Sequence, residues 1–140
     1  MFPSCSRKDT KPNFKYYNQK MAKKILVIDD DKDILSILDI IFGDEGYERV
    51  LCNTGISTEH IKILDPDLIL LDVRIVGFPK TGAQICAEIK KERDLESIPV
   101  LLVSAELNVP ELAQSCGANG YVNKPFDIDK LVKKVKEFIN

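Results

Sequence analysis

Four apolar runs in this chain each end in residues able to do chemistry. Ile25-Leu26-Val27-Ile28 leads into Asp29-Asp30-Asp31, Leu68-Ile69-Leu70-Leu71 into Asp72, Val100-Leu101-Leu102-Val103 into Ser104-Ala105, and Tyr121-Val122-Asn123 into Lys124-Pro125-Phe126. Carboxylates, a hydroxyl and an ammonium are the groups needed to hold a divalent cation and a phosphoryl group in one crevice. Carboxylates brought close together repel one another unless a cation intervenes. A hard ion with oxygen ligands, Mg²⁺ or Mn²⁺, suits a site of two carboxylates, a carbonyl and waters. A carboxylate can then attack phosphorus to give an acyl phosphate, provided metal and cationic groups neutralise the transferring oxygens. Lys124 is the candidate for that second positive charge, and Asp72 for the nucleophile. An acidic run at a helix start, stabilised by the macrodipole, explains Asp31 and in part Asp30 without any metal, but it leaves Asp72 unexplained.

The elements that must position these residues follow from hydrophobic period. Unbroken apolar runs predict strands over 24–29, 47–51, 67–72, 98–103 and 120–123. Apolar residues at helical spacing predict helices over 32–44, 58–64, 82–93, 110–115 and 128–139. Asp65-Pro66 sets the end of the second helix, because proline restricts the residue before it and donates no helical hydrogen bond. Strands without polar alternation need both faces covered, which predicts an α/β, doubly wound, five-stranded parallel sheet with helices on both faces. The flavodoxin-like order 2-1-3-4-5 puts the first and third strands side by side, with ligands outside the carboxyl ends of the strands. Asp29, Asp30 and Asp72 then meet in space.

A chain of 140 residues has room for one domain of ordinary size, whose core needs no metal or disulfide staple. Cys5, Cys52, Cys86 and Cys116 lack the spacing of a zinc knuckle or a thioredoxin-like motif, so reduced thiols in a cytoplasmic protein are expected. Charge is uneven: in residues 1–20, Arg7, Lys8, Lys11, Lys15 and Lys20 stand against Asp9, a net of +4, which leaves −6 for residues 21–140 within the chain's −2. The basic segment has no apolar core like that of a signal peptide. It reads as a disordered leader of residues 1–20 before a domain of 21–140, with Phe14, Tyr16 and Tyr17 docking loosely and Met21 as a plausible true start. The negative charge of the domain disfavours nucleic acid as a partner, and no membrane association is expected.

From about residue 23 to 139 the chain resembles the receiver domain of two-component response regulators. The resemblance is carried by Asp29-Asp30, Asp72, Ser104, Lys124-Pro125 and the run Gly117-Ala118-Asn119-Gly120-Tyr121. It implies that Asp72 is the phosphoacceptor, that Asp30, Asp72 and the main-chain carbonyl of Arg74 ligate Mg²⁺, and that Asp29 holds a metal-bound water. Lys124 would pair with Asp72 at rest and with the phosphoryl group afterwards. Ser104 and the amide of Ala105 would grip phosphate oxygens, and the movement of Ser104 would let Tyr121 rotate inward. The signal would reach the surface of the fourth helix, fifth strand and fifth helix, and the Lys124–Pro125 peptide would be cis. Implied partners are a histidine kinase or phosphotransfer protein upstream and a protein target downstream, which the sequence does not identify. The chain would be a monomer or weak homodimer.

Two stretches depart from the family pattern. After Asp72 the chain runs Val73-Arg74-Ile75-Val76-Gly77-Phe78-Pro79-Lys80-Thr81-Gly82, with Val76 where proline is usual and extra residues before Gly82. This predicts a longer loop beside the metal, with Lys80 over its entrance. The spacing from Ser104 to Lys124 is shorter than usual, and Pro110 interrupts the start of the fourth helix, which is expected to be short or displaced. The fifth helix ends at Asn140 with no effector domain after it, so output is expected through protein contact. An aspartate-nucleophile phosphatase of the haloacid dehalogenase type would need an acid where Arg74 stands. No turnover enzyme is therefore expected, only self-phosphorylation from small donors and slow self-dephosphorylation. A pseudo-receiver, a binding module not controlled by phosphorylation, is the alternative.

Overall fold

The computed structural model describes residues 5–8 and 22–139. In chain order the elements are β1 (Cys5–Lys8), β2 (Lys24–Ile28), α1 (Lys32–Asp44), β3 (Glu48–Cys52), α2 (Thr58–Leu64), β4 (Leu68–Asp72), α3 (Gly82–Lys91), β5 (Val100–Ser104), α4 (Val109–Cys116), β6 (Gly120–Asn123) and α5 (Ile128–Phe138). The helices predicted over 32–44 and 58–64 and the strand over 120–123 have those bounds, and the other predicted elements shift at their ends by one or two residues.

The sheet order is β1-β3-β2-β4-β5-β6. The five inner strands run parallel in the flavodoxin-like order. The five-stranded expectation is corrected by β1, which pairs antiparallel with β3 and makes the sheet six-stranded and mixed. Residues 5–8 of the expected disordered leader therefore form an edge strand. The expected docking of Phe14, Tyr16 and Tyr17, and the possible start at Met21, lie outside the described residues. The expectation of four reduced cysteines is also corrected. Cys5 and Cys52 stand directly opposite each other across the β1–β3 ladder, with Cα atoms 4.1 Å apart, and form a disulfide, while Cys86 and Cys116 stay as buried thiols. Spacing along the chain could not reveal this pair, because it depends on a strand pairing across 47 positions.

Alternation along the buried strands assigns side chains to two layers. Leu26, Ile28, Ile69, Leu71 and Leu102 pack with Ile61 of α2, Ile85 and Ile89 of α3 and Val109 of α4. Ile25, Val27, Leu68, Leu70 and Leu101 pack with Leu35, Leu38 and Phe42 of α1 and Leu131 and Val135 of α5. Most of these side chains are fully removed from water, each worth about 1.5–3 kcal/mol. The sheet is held from both sides, which makes its carboxyl edge a rigid platform.

Helix starts are set by side chains that satisfy free amides. Asp31 caps α1, Ser57 caps α2, Thr81 and Gln84 form a capping box on α3, and Asp127 caps α5. At the end of α2, Asp65 takes a left-handed conformation with φ of 51° immediately before Pro66. The fourth helix is short, as expected, but Pro110 does not interrupt its start. It sits in the first helical turn, where its missing N–H costs no helical hydrogen bond, and the helix runs for eight residues. No helix among the described residues is long and apolar enough to cross a membrane.

Candidate functional site

The parallel register brings four strand ends to one edge of the sheet, and the acidic run after β2 divides its labour there. Asp31 is structural, its carboxylate accepting from the amides of Asp33 and Ile34 at the start of α1. Asp29 is buried and accepts from the amide of Asp31 at 2.9 Å, which turns its other oxygen toward Lys124. Asp30 is half-buried and faces the crevice. Asp72, the last residue of β4, is 6% exposed. One carboxylate oxygen from each of Asp29, Asp30 and Asp72 lies within 4.8 Å of the others.

Lys124 follows β6, and its amide donates to the carbonyl of Ser104 at 2.9 Å, tying the ends of β5 and β6 together. Its Nζ lies 2.9 Å from Asp29 and 3.5 Å from Asp72. At rest the ammonium therefore bridges both carboxylates and sits closer to Asp29. The peptide between Lys124 and Pro125 is cis. Ser104 is buried, and its Oγ accepts from the amide of Glu106 at 2.9 Å. Ala105 is exposed beside it, and both line a crevice of about 430 Å³ with Asp30, Asp72, Arg74 and Lys124.

Electrostatics mark Asp72. Burial pushes its carboxyl up to about 7, and the neighbouring Asp29 adds to the rise, while Lys124 pulls against it. Burial alone would lower the ammonium of Lys124, but hydrogen bonding and attraction to Asp29 and Asp72 leave it raised. A cluster of carboxylates with one amine is short of positive charge. Three carboxylates with oxygen atoms within a few ångströms are the environment that a hard divalent cation relieves.

The loop after Asp72 is long, as the sequence indicates, and three contacts anchor it. The amide of Val76 donates to Asp30 Oδ2 at 3.2 Å. The ring of Phe78 occupies the space over Gly55, where a Cβ would lie 2.4 Å from the ring. Lys80 turns away to Glu88 at 2.6 Å, so it does not cover the entrance as expected. The guanidinium of Arg74 instead reaches Glu106 at 3.6 Å across the mouth of the crevice. The loop closes on Gly82, whose Cα passes so near the carbonyl of Asp72 that a Cβ would come within 2.0 Å of it.

Tyr121 lies in β6, away from the crevice. It is half-buried against the α2–α3–α4 layer, with Lys134 Nζ 5.9 Å from its ring centroid. Sequence reasoning missed the contribution of Val76, the Arg74–Glu106 pair and the close approach of Gly82. Only the glycine left a trace, as an isolated small residue opening a helix.

Residues 25–136 match the family model of the response regulator receiver domain. Among solved structures, the receiver domain of NtrX from Brucella abortus is 32% identical with a TM-score of 0.72, over 82% of this chain and 97% of that one. A putative response regulator from Chloroflexus aurantiacus J-10-fl is 25% identical with a TM-score of 0.74, over 84% of this chain and 98% of that one. A signal receiver domain of a signal transduction histidine kinase from Syntrophus aciditrophicus is 28% identical with a TM-score of 0.72, over 84% and 90%. The clustered Asp29, Asp30 and Asp72 are of the kind found in the phosphoaccepting, metal-binding switch of two-component signalling. With the family model spanning most of its length and the acidic cluster at the expected sheet edge, this chain belongs to the response regulator receiver domain family.

Proposed function

We propose that Asp72 accepts a phosphoryl group from a phosphohistidine on a histidine kinase or phosphotransfer protein. The observation that carries this reading is the convergence of three carboxylates with Lys124 at one sheet edge. In the step, a carboxylate oxygen of Asp72 bonds to phosphorus as the P–N bond to the donor imidazole breaks, and the electron pair stays on that nitrogen, which takes up a proton. Asp72 must be ionised to attack, so groups that favour its charged form serve the reaction.

Asp30, Asp72 and the carbonyl of Arg74 are assigned to hold Mg²⁺, with Asp29 on a metal-bound water. The ion would neutralise the carboxylates and the phosphoryl oxygens. Lys124, which bridges Asp29 and Asp72, would shift to a phosphoryl oxygen. Ser104 would exchange the Glu106 amide for such an oxygen, beside the amide of Ala105. Inward rotation of Tyr121 would then forgo the contact with Lys134 of α5, which supports α4, β6 and α5 as the surface that changes. The downstream partner is a protein target, and the setting is the cytoplasm. This chemistry is that of a phosphoacceptor with slow intrinsic turnover, not of a multiple-turnover enzyme.

The test is incubation of the full chain with Mg²⁺ and acetyl phosphate, read by intact mass, with Asp72→Asn and Mg²⁺ omission as controls. One added phosphoryl group that vanishes in both controls is expected. No addition in the folded wild-type chain, with amide spectra equally unmoved by the beryllofluoride mimic, refutes the reading.

A further inference from the structure

The four cysteines are of two kinds. Cys86 and Cys116 are buried thiols in the core, and burial, with the neighbouring Cys116, pushes Cys86 up to about 12. Cys5 and Cys52 are bonded to each other. That bond is not required to close the core, since a chain of this length buries enough apolar surface without staples. What it holds is β1.

Strand β1 meets the sheet only along β3, from Cys5 opposite Cys52 to Lys8 opposite Arg49. Three of its four residues are exposed. Besides the backbone ladder, Arg7 reaches the buried carboxylate of Glu48 at 3.1 Å. A strand this short has little independent stability. Its position nevertheless matters, because it covers the outer row of N–H and C=O groups on β3, which would otherwise template pairing with another chain. Of the two sulfur-bearing residues, Cys5 lies on the partly exposed strand and Cys52 is fully buried, so an external thiolate approaches from the Cys5 side. The carbonyl of Cys52 also accepts from the amide of Asp29 at 3.1 Å, which puts the bond one hydrogen bond from the acidic crevice.

We propose that Cys5–Cys52 is a thiol–disulfide exchange site, a redox latch that a dithiol reductant opens and a disulfide oxidant closes, releasing or securing β1 on the edge of β3. In opening, the first thiolate of the reductant bonds to Cys5 Sγ, the Cys5–Cys52 bond breaks, and Cys52 leaves as a thiolate that takes up a proton. The second thiol of the reductant then displaces Cys5 from the mixed disulfide. The dithiol gives up two electrons and ends as a disulfide, and the protein gains two thiols. Closing is the reverse, with the oxidant's disulfide accepting the electrons. In the open state β1 keeps its four-residue ladder and the Arg7–Glu48 pair but loses its covalent tie to β3.

The test compares the full chain in oxidised glutathione and in dithiothreitol, using non-reducing peptide mapping and amide hydrogen exchange. A Cys5–Cys52 linked peptide is expected under oxidation, and reduction should speed exchange at residues 5–8 by about tenfold or more while β2 and β4 are unchanged. Cys5→Ser, a near-isosteric change at the half-buried end of β1, should exchange like the reduced chain in both conditions. The proposal is overturned by absence of the linked peptide under oxidation, by protection at residues 5–8 that survives reduction, or by Cys5→Ser retaining that protection. None of these readouts depends on phosphorylation.

Discussion

At the scale of the residue, Asp72 is held in tension. It is buried beside Asp29 and Asp30, with a carboxyl pushed from its ordinary 3.8 to about 7. In the metal-free protein the folded state keeps that proton after the unfolded state has lost it. The stability this confers is full below pH 4 and is lost as pH rises through about 7. At about 1.4 kcal/mol per pH unit, the loss across that window is on the order of 4 kcal/mol. Urea denaturation of the wild type should therefore show a midpoint falling between pH 4 and pH 7. Asp72→Asn has no such proton to lose, so its curve should be flatter there and its midpoint higher than wild type at pH 8. A wild-type midpoint that rises over the same window would contradict the electrostatic account of the site. Gly82 is constrained in a different way, since its missing side chain leaves room for the carbonyl of Asp72. Gly82→Ala should cost about 1–3 kcal/mol in denaturant unfolding through overpacking. Gly77 has open space around it and is restricted only by a φ of 85°, so Gly77→Ala should cost about 1 kcal/mol.

Among the elements, the loop from Val73 to Thr81 is the part of the site most particular to this chain. Its length is readable in the sequence, but its course is not. Phe78 seats over Gly55, and the amide of Val76 holds Asp30. Lys80 was expected over the entrance and pairs with Glu88 of α3 instead, because that carboxylate lies within 2.6 Å once the loop is anchored. Phe78→Ala removes the anchor beside a glycine that cannot fill the space. A fall in stability of about 3 kcal/mol is expected in urea unfolding, with faster amide exchange confined first to residues 74–80. In helix α4, Pro110 stands in the first turn, where its missing N–H costs no helical hydrogen bond.

For the whole molecule, the two-layer packing fixes the sheet edge that carries the Asp29, Asp30 and Asp72 cluster. If Mg²⁺ binds the folded state alone, thermal unfolding should be stabilised by about 2.7 kcal/mol when the ion is at 100 times its Kd. The gain should shrink as pH falls below 7, where protons compete for Asp72, and should be absent in Asp72→Asn. The disulfide acts at the same scale. A crosslink spanning 47 positions contributes about 4 kcal/mol in the chain-entropy account. Reduction should lower the unfolding free energy in urea by no more than that and leave a cooperative transition, because the bulk of both apolar layers comes from β2, β4, β5 and the helices.

The sequence by itself determined the parallel five-strand core, its order and the set of residues that meet at the carboxyl edge. Those properties follow from local period and from topology rules that act on any chain with such runs. Only the tertiary structure decided that Cys5–Lys8 adds a sixth, antiparallel strand, that Cys5 bonds Cys52, that Lys124 sits nearer Asp29 than Asp72, and that Arg74 reaches Glu106. Each of these depends on the distance between side chains far apart in the chain. Period and composition carry no record of such distances until the sheet has brought the residues together.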